Sequence, residues 1–414
     1  MSYINSVCML NPANDKLLEI NLAKSNLILV GNNGCGKTRV LKKIYESTIL
    51  RLTNSDYSSV EKANKNIQSL SESLVSYPQE RQNFQSTLDY WLAIKKEFDN
   101  ITINFDDMDK LNLEYNKGNL IVQFFGASRQ AGITSSGVVQ SLESIKGHTL
   151  NATPSPYSNT SGSKLEDYLV SLRVYQSTIE KFEKNDKGFI KKSNNIDKWF
   201  IKLEDDLRNL LEDSSLTLKF IYDKLKFEIH QKDKKPYNLQ SLSSGISAIL
   251  DIYAELLIGA EARELSPDKF KGIILIDEID VHLHLSIQKK IFSFLSSAFP
   301  MIQFIVTTHS PFVVMSVTDS KIFDIGHNQS VDDVSMYSYT SVAEGLFGIN
   351  PVSEVLTKKL TEMIYLSNKK SNGPIINKLK KIITEVEKYT SHLDSKSIYY
   401  LNEAKMKVIK DEEE

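Results

Sequence analysis

The chain has 414 residues, 50 basic (Lys and Arg) and 52 acidic (Asp and Glu) side chains, and a formal net charge of −2 at pH 7. This balance excludes a strong overall field for nucleic acid or an anionic membrane, so any such surface has to be local. With only two cysteines and no apolar run of about 18 residues, the composition also excludes a disulfide-built fold and a membrane-spanning helix. We expect a soluble protein of the reducing cytoplasm, without a signal peptide and with no membrane partner.

Two short β-type stretches open the chain, at Tyr3–Met9 and Leu17–Leu22, and they predict part of a sheet. The apolar run Leu27–Val30 predicts a buried strand that leads into Gly31–Thr38, whose sequence is GNNGCGKT. The apolar spacing after Arg39 predicts a helix. A glycine-rich loop between a strand and a helix N-terminus is typical of nucleotide phosphate binding, although the pattern also fits a tight turn.

In a phosphate-binding loop the lysine and the hydroxyl have defined tasks. The Lys37 ammonium would reach the β and γ phosphates, and the Thr38 hydroxyl would ligate Mg²⁺. Glycines let backbone amide groups turn towards the anion, and the helix N-terminus adds the positive end of its dipole. The loop therefore predicts a site for a nucleotide with Mg²⁺.

The middle of the chain alternates between helical and strand patterns. Helical periodicity from Val40 to about Phe98 predicts a helical insertion, and strands return at Ile101–Phe105 and Leu120–Phe125. The later elements are a Ser-, Gly- and Thr-rich mobile loop at 131–164, a helical stretch at 165–211 and a strand pair within 216–230.

A Ser-Ser-Gly turn, Ser243–Gly245, precedes an apolar helix and makes a second site suited to an anion, although Ser and Gly commonly start helices. The strand that follows, Lys271–Ile276, is closed by Asp277 and Glu278. At the carboxyl end of a central parallel strand, Asp277 would hold the Mg²⁺ shell and Glu278 would polarise the attacking water. Two acids that only solvate a strand end are the alternative.

A further buried strand, Gln303–Thr308, ends in His309. On a strand adjacent to the two acids, this imidazole would contact the γ-phosphate and sense its loss. His282 and His284 have a spacing that zinc ligands can have, but no third ligand is apparent. We expect no zinc site there.

The order of the motifs along the chain is phosphate loop, Gln-type loop, Ser-Gly signature turn, Asp-Glu strand and His309. In this order the chain resembles the ATP-binding-cassette ATPases, and within them the soluble branch of SMC, RecF and OLD-type proteins. The segments LIDEIDVHLHLSIQ and FPMIQFIVTTHSP are more similar to bacterial defence-associated ATPases, such as the Septu ATPase subunit, than to transporter subunits. The resemblance covers residues 1 to about 330, apart from the helical insertions. It implies an α/β P-loop NTPase fold of the ABC ATPase head type, a mixed β-sheet core flanked by helices.

The resemblance also implies where ATP binds. Two heads would sandwich two ATP molecules, so that Ser243 and Gly245 of one subunit reach ATP held by Lys37 of the other. Glu278 and His309 would be catalytic, with Mg²⁺ on Thr38 and Asp277. The implied ATP-binding residues are Asn32, Asn33, Gly34, Cys35, Gly36, Lys37, Thr38, Arg39, Gln130, Ser243 and Gly245.

Two features depart from the pattern or leave it open. The signature turn has Ser244 where Gly is usual and Ile246 where Gln or Glu is usual. The Gln-loop is assigned by position only, and either Arg129 or Gln130 fits it.

The implied function is ATP hydrolysis to ADP and phosphate by a homodimer or higher oligomer. This ATPase would control a separate effector, such as a nuclease, in anti-phage defence or a DNA-linked response, with nucleic acid as a further partner. One alternative is a nucleotide-dependent scaffold with little hydrolysis. A transporter ATP-binding subunit is disfavoured by the altered signature and the helical insertions.

The tail and one basic cluster complete the sequence hypotheses. Glu344 resembles the leading acid of a metal-dependent nuclease, but no apolar strand precedes it and no Asp-x-Asp follows it, and we expect no second active site in the remaining residues. Helical patterns from Pro374 onwards predict a partner-docking element or a helix packed on its own core. A cluster that fits either nucleic acid or an ordinary solvated face contains Lys181, Lys184, Lys187, Lys191 and Lys192, with Glu183 and Asp186 among them.

The predicted divisions are an ATPase lobe at 1–50 and 101–130, a helical insertion at 51–100, a flexible loop with a second helical insertion at 131–215, a second ATPase lobe at 216–340, and a C-terminal helical partner or oligomer element at 341–414.

Overall fold

The structure is a computed structural model, and the part of the chain that it describes forms two compact units, Met1–Val342 and Ala343–Glu414. The described residues are 3–57, 59–77, 79, 81–128, 133, 138–144, 147, 164–182, 187–317, 319–331, 334, 337–350, 352–369 and 372–413. The predicted mobile loop at 131–164 therefore lies for the most part outside the described residues.

Among the residues that the structure describes, all the strands lie in the first unit. They are β1 (Ile4–Leu10), β2 (Leu17–Asn21), β3 (Asn26–Val30), β4 (Ile101–Phe105), β5 (Leu120–Phe125), β6 (Thr217–Ile221), β7 (Lys226–His230), β8 (Tyr237–Asn238), β9 (Lys271–Ile276), β10 (Ile302–Thr307), β11 (Ser320–Asp324) and β12 (Gln329–Val331).

Helices surround these strands in the first unit and build the second. They are α1 (Lys37–Thr53), α2 (Val60–Ser76), α3 (Arg81–Asn100), α4 (Met108–Asn116), α5 (Leu165–Phe182), α6 (Lys187–Leu211), α7 (Ser244–Ala262), α8 (Leu285–Gln288), α9 (Ile291–Ala298), α10 (Pro311–Met315), α11 (Tyr339–Phe347), α12 (Glu354–Ser367), α13 (Gly373–Glu387) and α14 (Ser395–Glu413). In the described residues, none of these helices combines the length and apolar composition that crossing a bilayer requires.

The main sheet has six strands in the order β12-β11-β3-β10-β9-β5. Its strands are parallel except β12, which pairs antiparallel with β11. Strands β3, β9 and β10 are almost continuous apolar runs buried along their length, as expected where helices cover both faces of a parallel sheet. The predicted α/β fold, a mixed sheet flanked by helices, is confirmed.

The order of the strands decides where the site lies. β3 and β9 both pair with β10, so the segments that follow these three strands leave the sheet at one edge. The predicted adjacency of the two-acid strand and the histidine strand is therefore confirmed. The phosphate-loop candidate, the two acids and His309 come from distant parts of the sequence to this edge.

Two three-stranded antiparallel sheets flank the core, with the orders β2-β1-β4 and β6-β7-β8. The side chain of Gln303 on β10 fastens the N-terminus, because its Oε1 accepts from the N–H groups of Tyr3 and Ile4. Its Nε2 donates to the carbonyl oxygens of Ile4 and Ser25. This buried amide therefore holds β1 next to the main sheet.

The helical parts agree with the sequence patterns and add to them. α2 and α3 pack as a hairpin through Ala63, Trp91 and Ile94, within the predicted insertion. In the second unit, α12, α13 and α14 enclose their own apolar core, which includes Met363 and Leu379. The sequence patterns predict α13 and α14, whereas they do not single out α4, α12 or the strands β11 and β12.

Candidate functional site

The loop Gly31–Thr38 joins the end of β3 to the start of α1, as the sequence predicts. Gly36, immediately before the helix, has φ 101°, and a Cβ there would lie 2.6 Å from Oδ1 of Asn11. Both the backbone conformation and the lack of space therefore demand glycine. Because Gly36 makes no side-chain cap, it leaves the first amide groups of α1 to an anion at the helix N-terminus.

The Lys37 side chain is buried and folds back over its own loop. Its Nζ donates to the carbonyl oxygens of Gly31 at 2.7 Å and Asn32 at 3.1 Å. Burial lowers the pKa of the Lys37 ammonium, and the electrostatic effects of the Cys35 sulfur and the Glu278 carboxylate partly offset this. The ammonium thus lies within the loop, where it donates to carbonyl oxygens as it would donate to phosphate oxygens.

Asp277 joins the loop to the ends of three strands. Its Oδ1 accepts hydrogen bonds from the hydroxyls of Thr38, at 3.1 Å, and Thr307, at 2.7 Å. Its backbone N–H donates to the carbonyl oxygen of Phe125, the last residue of β5, at 2.8 Å. The structure therefore brings together Thr38 and Asp277, the two residues predicted to hold Mg²⁺.

The Thr38 and Asp277 oxygens fit a magnesium ion. Hydroxyl and carboxylate oxygens are ligands that Mg²⁺ prefers, and adjacent ligands of an octahedral shell lie about 3 Å apart. Thr38 Oγ1 and Asp277 Oδ1 are 3.1 Å apart. Within the residues that the structure describes, no group of three or more His, Cys, Asp or Glu side chains is placed to hold a metal ion. An ion on the Thr38 and Asp277 oxygens would have room for further oxygen ligands from a nucleotide and from water.

The two predicted catalytic residues follow strands that end at the same edge of the sheet. Glu278 follows β9 with φ 47°, in the left-handed region, and its N–H donates to Oγ1 of Thr307 at 2.7 Å. His309 follows β10, and its N–H donates to Oδ1 of Asp280 at 3.2 Å. Hydrogen bonds therefore fix the backbone of both residues beside the loop that holds Lys37.

The imidazole of His309 is kept neutral by its surroundings. Burial lowers the pKa of His309, and the positive charge of Lys37 lowers it further. The acids Asp280, Glu278 and Asp277 oppose this shift without cancelling it. At neutral pH the ring therefore carries one N–H donor and one acceptor nitrogen.

The signature turn lies at the start of α7. Ser243 is exposed, and its Oγ accepts from the N–H of Ile246 at 3.5 Å, as a helix N-cap. Gly245 is buried, and a Cβ there would lie only 2.3 Å from the carbonyl oxygen of His282. This contact within one chain gives the glycine a packing reason of its own. The role of Ser243 and Gly245 across a dimer stays a prediction.

The remaining residues of the loop lie at its surface. Asn32, Asn33 and Gly34 are exposed, and the Cys35 N–H donates to the Asn32 carbonyl oxygen at 3.3 Å. Arg39 points from α1 to the β1–β2 turn, where it donates to a carbonyl oxygen at 3.4 Å. The contacts of these residues with ATP stay predictions.

Several other sequence hypotheses concern residues that the structure does not describe in full. The Gln-loop candidates Arg129 and Gln130 lie outside the described residues, and so does Lys184 of the basic cluster. The side chains of Lys187, Lys191 and Lys192 are also outside them.

The remaining residues that were considered for a metal make local contacts. His284 Nδ1 accepts from the N–H of Ser286 at 3.4 Å, which caps the short helix α8. In the second unit, Glu344 lies 3.6 Å from Lys396 in an exposed ion pair.

Sequence reasoning missed four polar residues that shape the site. The buried Asn11 donates to the Cys35 carbonyl oxygen at 3.0 Å, and the turn that carries it is signalled only by the Asn-Pro pair. Thr307 and Thr308 were visible as hydroxyls at the end of a strand, but their partners were not. Asp280 accepts from the Thr308 hydroxyl at 2.5 Å, and nothing in the sequence distinguishes it from a solvated loop acid.

The chain is similar in sequence to several known proteins. Residues 148–316 match the family model described as AAA domain, putative AbiEii toxin, Type IV TA system. The chain is 23% identical to the Retron Vc95 probable ATPase of Vibrio cholerae serotype O1 biovar El Tor, over 74% of this chain and 70% of that protein. It is 24% identical to the Septu protein PtuA of Bacillus thuringiensis, over 76% of this chain and 74% of that protein.

Among solved structures, the SmcHead bound to the C-winged helix domain of ScpA matches 80% of this chain and 95% of that chain. The identity is 12% and the TM-score is 0.34. The recognition made from the motifs is confirmed by the sequence matches: the chain is similar to AAA-domain ATPases of the defence-associated Septu and retron systems.

Proposed function

We propose that the chain is an Mg²⁺-dependent ATPase that converts ATP and water to ADP and phosphate. The contact between Thr38 and Asp277 is the observation that carries the proposal. The contact joins the loop after β3 to the first residue after β9, in the arrangement that a nucleotide-bound Mg²⁺ requires. The names of the relatives, which include probable ATPases, support the same activity.

Each residue of the edge would have one task. Lys37 would exchange the carbonyl oxygens of Gly31 and Asn32 for the β and γ phosphate oxygens. Mg²⁺ would neutralise the charge that develops between these phosphates. Glu278 would accept a hydrogen bond from the attacking water and orient it in line with the γ-phosphate. The neutral ring of His309 would donate its N–H to a γ-phosphate oxygen.

We further propose that two copies bind two ATP molecules between them. Ser243 is exposed at the N-terminus of the long helix α7, where a phosphate would meet a hydroxyl and the positive end of the helix dipole. In a two-fold dimer this turn would complete the site that contains Lys37 of the other copy. The bound ATP would then hold the two subunits together, and its hydrolysis would let them separate.

The ATP-dependent dimer would control a separate effector in a defence response, in the cytoplasm. Support comes from the relatives, which are named after Septu and retron systems. The thiols of Cys8 and Cys35 are free, as in a reducing compartment. A nuclease effector is the partner class that the resemblance favours, and nucleic acid would be a trigger or target.

Steady-state ATP turnover tests the catalytic part of this proposal. Wild-type protein is compared with Glu278→Gln, which keeps the side-chain shape and removes the base, and with Glu46→Gln, an exposed acid on α1. We expect Glu278→Gln alone to reduce turnover to background. If wild type and Glu278→Gln are equally slow while both bind ATP, the chain is a nucleotide-dependent scaffold instead.

A further inference from the structure

The carboxyl ends of β9 and β10 are joined by two threonine hydroxyls. Thr307 Oγ1 donates to Asp277 Oδ1 at 2.7 Å and accepts from the N–H of Glu278 at 2.7 Å. The backbone carbonyl oxygen of Thr307 also accepts from the N–H of Ile279 at 3.0 Å. One fully buried threonine thus contacts three consecutive residues of the loop that carries the proposed base.

Thr308 makes the equivalent bridge one residue later. Its Oγ1 donates to Asp280 Oδ1 at 2.5 Å and accepts from the N–H of Ser310 at 2.9 Å. The same Asp280 oxygen accepts from the N–H of His309 at 3.2 Å. We call the two bridges, Thr307 to Asp277 and Thr308 to Asp280, the threonine clasp.

The proton positions in the clasp follow from the donors around it. A hydroxyl has one hydrogen, and a backbone N–H can only donate. Because Glu278 donates to Thr307 and Ser310 donates to Thr308, each hydroxyl hydrogen is left for a carboxylate. Hydroxyl-to-carboxylate bonds are among the strong ones, and both threonines are fully buried, so water does not compete for them.

The clasp also explains how Glu278 keeps an unfavourable conformation. A residue with a side chain seldom adopts φ 47°, and it persists there only when its surroundings hold it. The bond from the Glu278 N–H to Thr307 supplies that restraint. On the other strand, Asp280 restrains the backbone of His309 in the same way.

We propose that the threonine clasp positions the reacting pair, with Thr307 holding Glu278 and Asp280 holding His309 against the γ-phosphate of ATP. Thr307 and Asp280 are positioning residues, because each acts through a neighbour. The proposal rests on the ATPase function proposed above. If Thr38 and Asp277 held Mg²⁺, the Thr307 hydroxyl would still donate to the Asp277 carboxylate and fix its position.

Paired substitutions separate the hydroxyl from the shape of the side chain. Thr307→Val keeps the branched shape and removes the hydroxyl, while Thr307→Ser keeps the hydroxyl. Thr48→Val is the matched control, because Thr48 is equally buried and its hydroxyl donates to the Ile44 carbonyl oxygen within its own helix, α1.

Hydrogen exchange of the protein without nucleotide measures the clasp itself. We expect the peptide that covers residues 277–280 to exchange faster in Thr307→Val, because the Glu278 amide loses its acceptor. Thr307→Ser and Thr48→Val should exchange there as the wild type does. Unchanged exchange in Thr307→Val would overturn the clasp, whatever the protein does with ATP.

Steady-state kinetics measures what the clasp does. We expect kcat of Thr307→Val to fall about 100-fold, as for a displaced reacting group, with little change in KM. Thr307→Ser should recover most of the rate. A wild type without turnover above that of Glu278→Gln refutes the ATPase proposal. An active wild type with an equally active Thr307→Val refutes the clasp alone.

Asp280 gives a second test that does not depend on the folding of Thr307→Val. Asp280→Asn keeps an oxygen that accepts from Thr308 and His309, whereas Asp280→Ala removes it. If Asp280 acts by position, kcat falls in Asp280→Ala and recovers in Asp280→Asn. Equal losses in both variants would assign the effect to charge and overturn the positioning role of Asp280.

Discussion

The hydroxyl of Thr38 lies 3.1 Å from Oδ1 of Asp277, although the two residues are 239 positions apart in the chain. β3 and β9 flank β10, and the segments after them meet at one sheet edge. The oxygens proposed to hold Mg²⁺ are therefore already adjacent in the fold, so binding the ion requires little rearrangement of the chain.

Thr38→Val removes one of these two oxygens and leaves the shape of the side chain. We expect the affinity for Mg²⁺ in the presence of ATP to fall at least about tenfold, because hydroxyl and carboxylate share the ion. Titration of ATP turnover with Mg²⁺ measures the change, and Thr38→Ser should restore it. A Thr38→Val protein with the wild-type Mg²⁺ dependence would remove Thr38 from the metal site.

We expect Lys37→Ala to abolish the binding of ATP with micromolar affinity. The ammonium would make charge-assisted hydrogen bonds to the phosphates, and losing them costs about 3 kcal/mol, on the order of 100-fold in affinity. Equilibrium binding of a fluorescent ATP analogue measures this loss. Lys43→Ala is the control, since Lys43 lies on the same helix and pairs with Glu97 at 2.8 Å, away from the loop. Retained micromolar affinity in Lys37→Ala would contradict the assignment of the loop.

The central strands β3, β9 and β10 of the main sheet could be predicted, because burial on both faces leaves an apolar run in the sequence. Lys271–Ile276 is an apolar run with no competing reading, and the two acids after it mark its carboxyl end. The helix after Gly36 was equally clear, since glycine and apolar spacing agree there. Local composition therefore located the chemistry of β3, β9 and β10.

The polar partners could not be predicted, because they depend on strand order and register. Nothing local in the sequence says that Thr307 faces Asp277, or that Asp280 rather than another loop acid accepts from Thr308. The reason for Gly245 was also hidden, since the His282 carbonyl oxygen that excludes a side chain lies in another segment. Contacts between distant segments appear only once the sheet is assembled.

Ser243→Arg tests the ATP sandwich. The large side chain should leave ATP binding by one copy intact and block the approach of a second copy. Because the change also removes the N-cap of α7, which costs about 1 kcal/mol, Ser243→Ala is the matched control. Light scattering of the Glu278→Gln background with ATP gives the mass. An undiminished ATP-induced increase in mass for Ser243→Arg would refute the role across the dimer.

The lowered pKa of His309 has a consequence for stability as pH falls. Below the ordinary value of 6.5 the unfolded chain takes up a proton that the folded imidazole, held neutral by burial and by Lys37, does not. Folding stability therefore decreases with falling pH between 6.5 and the lowered folded pKa. For one proton the slope is at most about 1.4 kcal/mol per pH unit.

His309→Gln should remove this slope, because glutamine does not titrate. Urea unfolding at a series of pH values from neutral to acid measures the difference between variant and wild type. Removing the exposed His392 by His392→Gln is the control for the loss of a histidine as such. We expect the wild type to lose stability relative to His309→Gln as pH falls below 6.5. Parallel curves for these two proteins would mean that His309 titrates alike in the folded and unfolded chain, and would overturn the lowered pKa of His309.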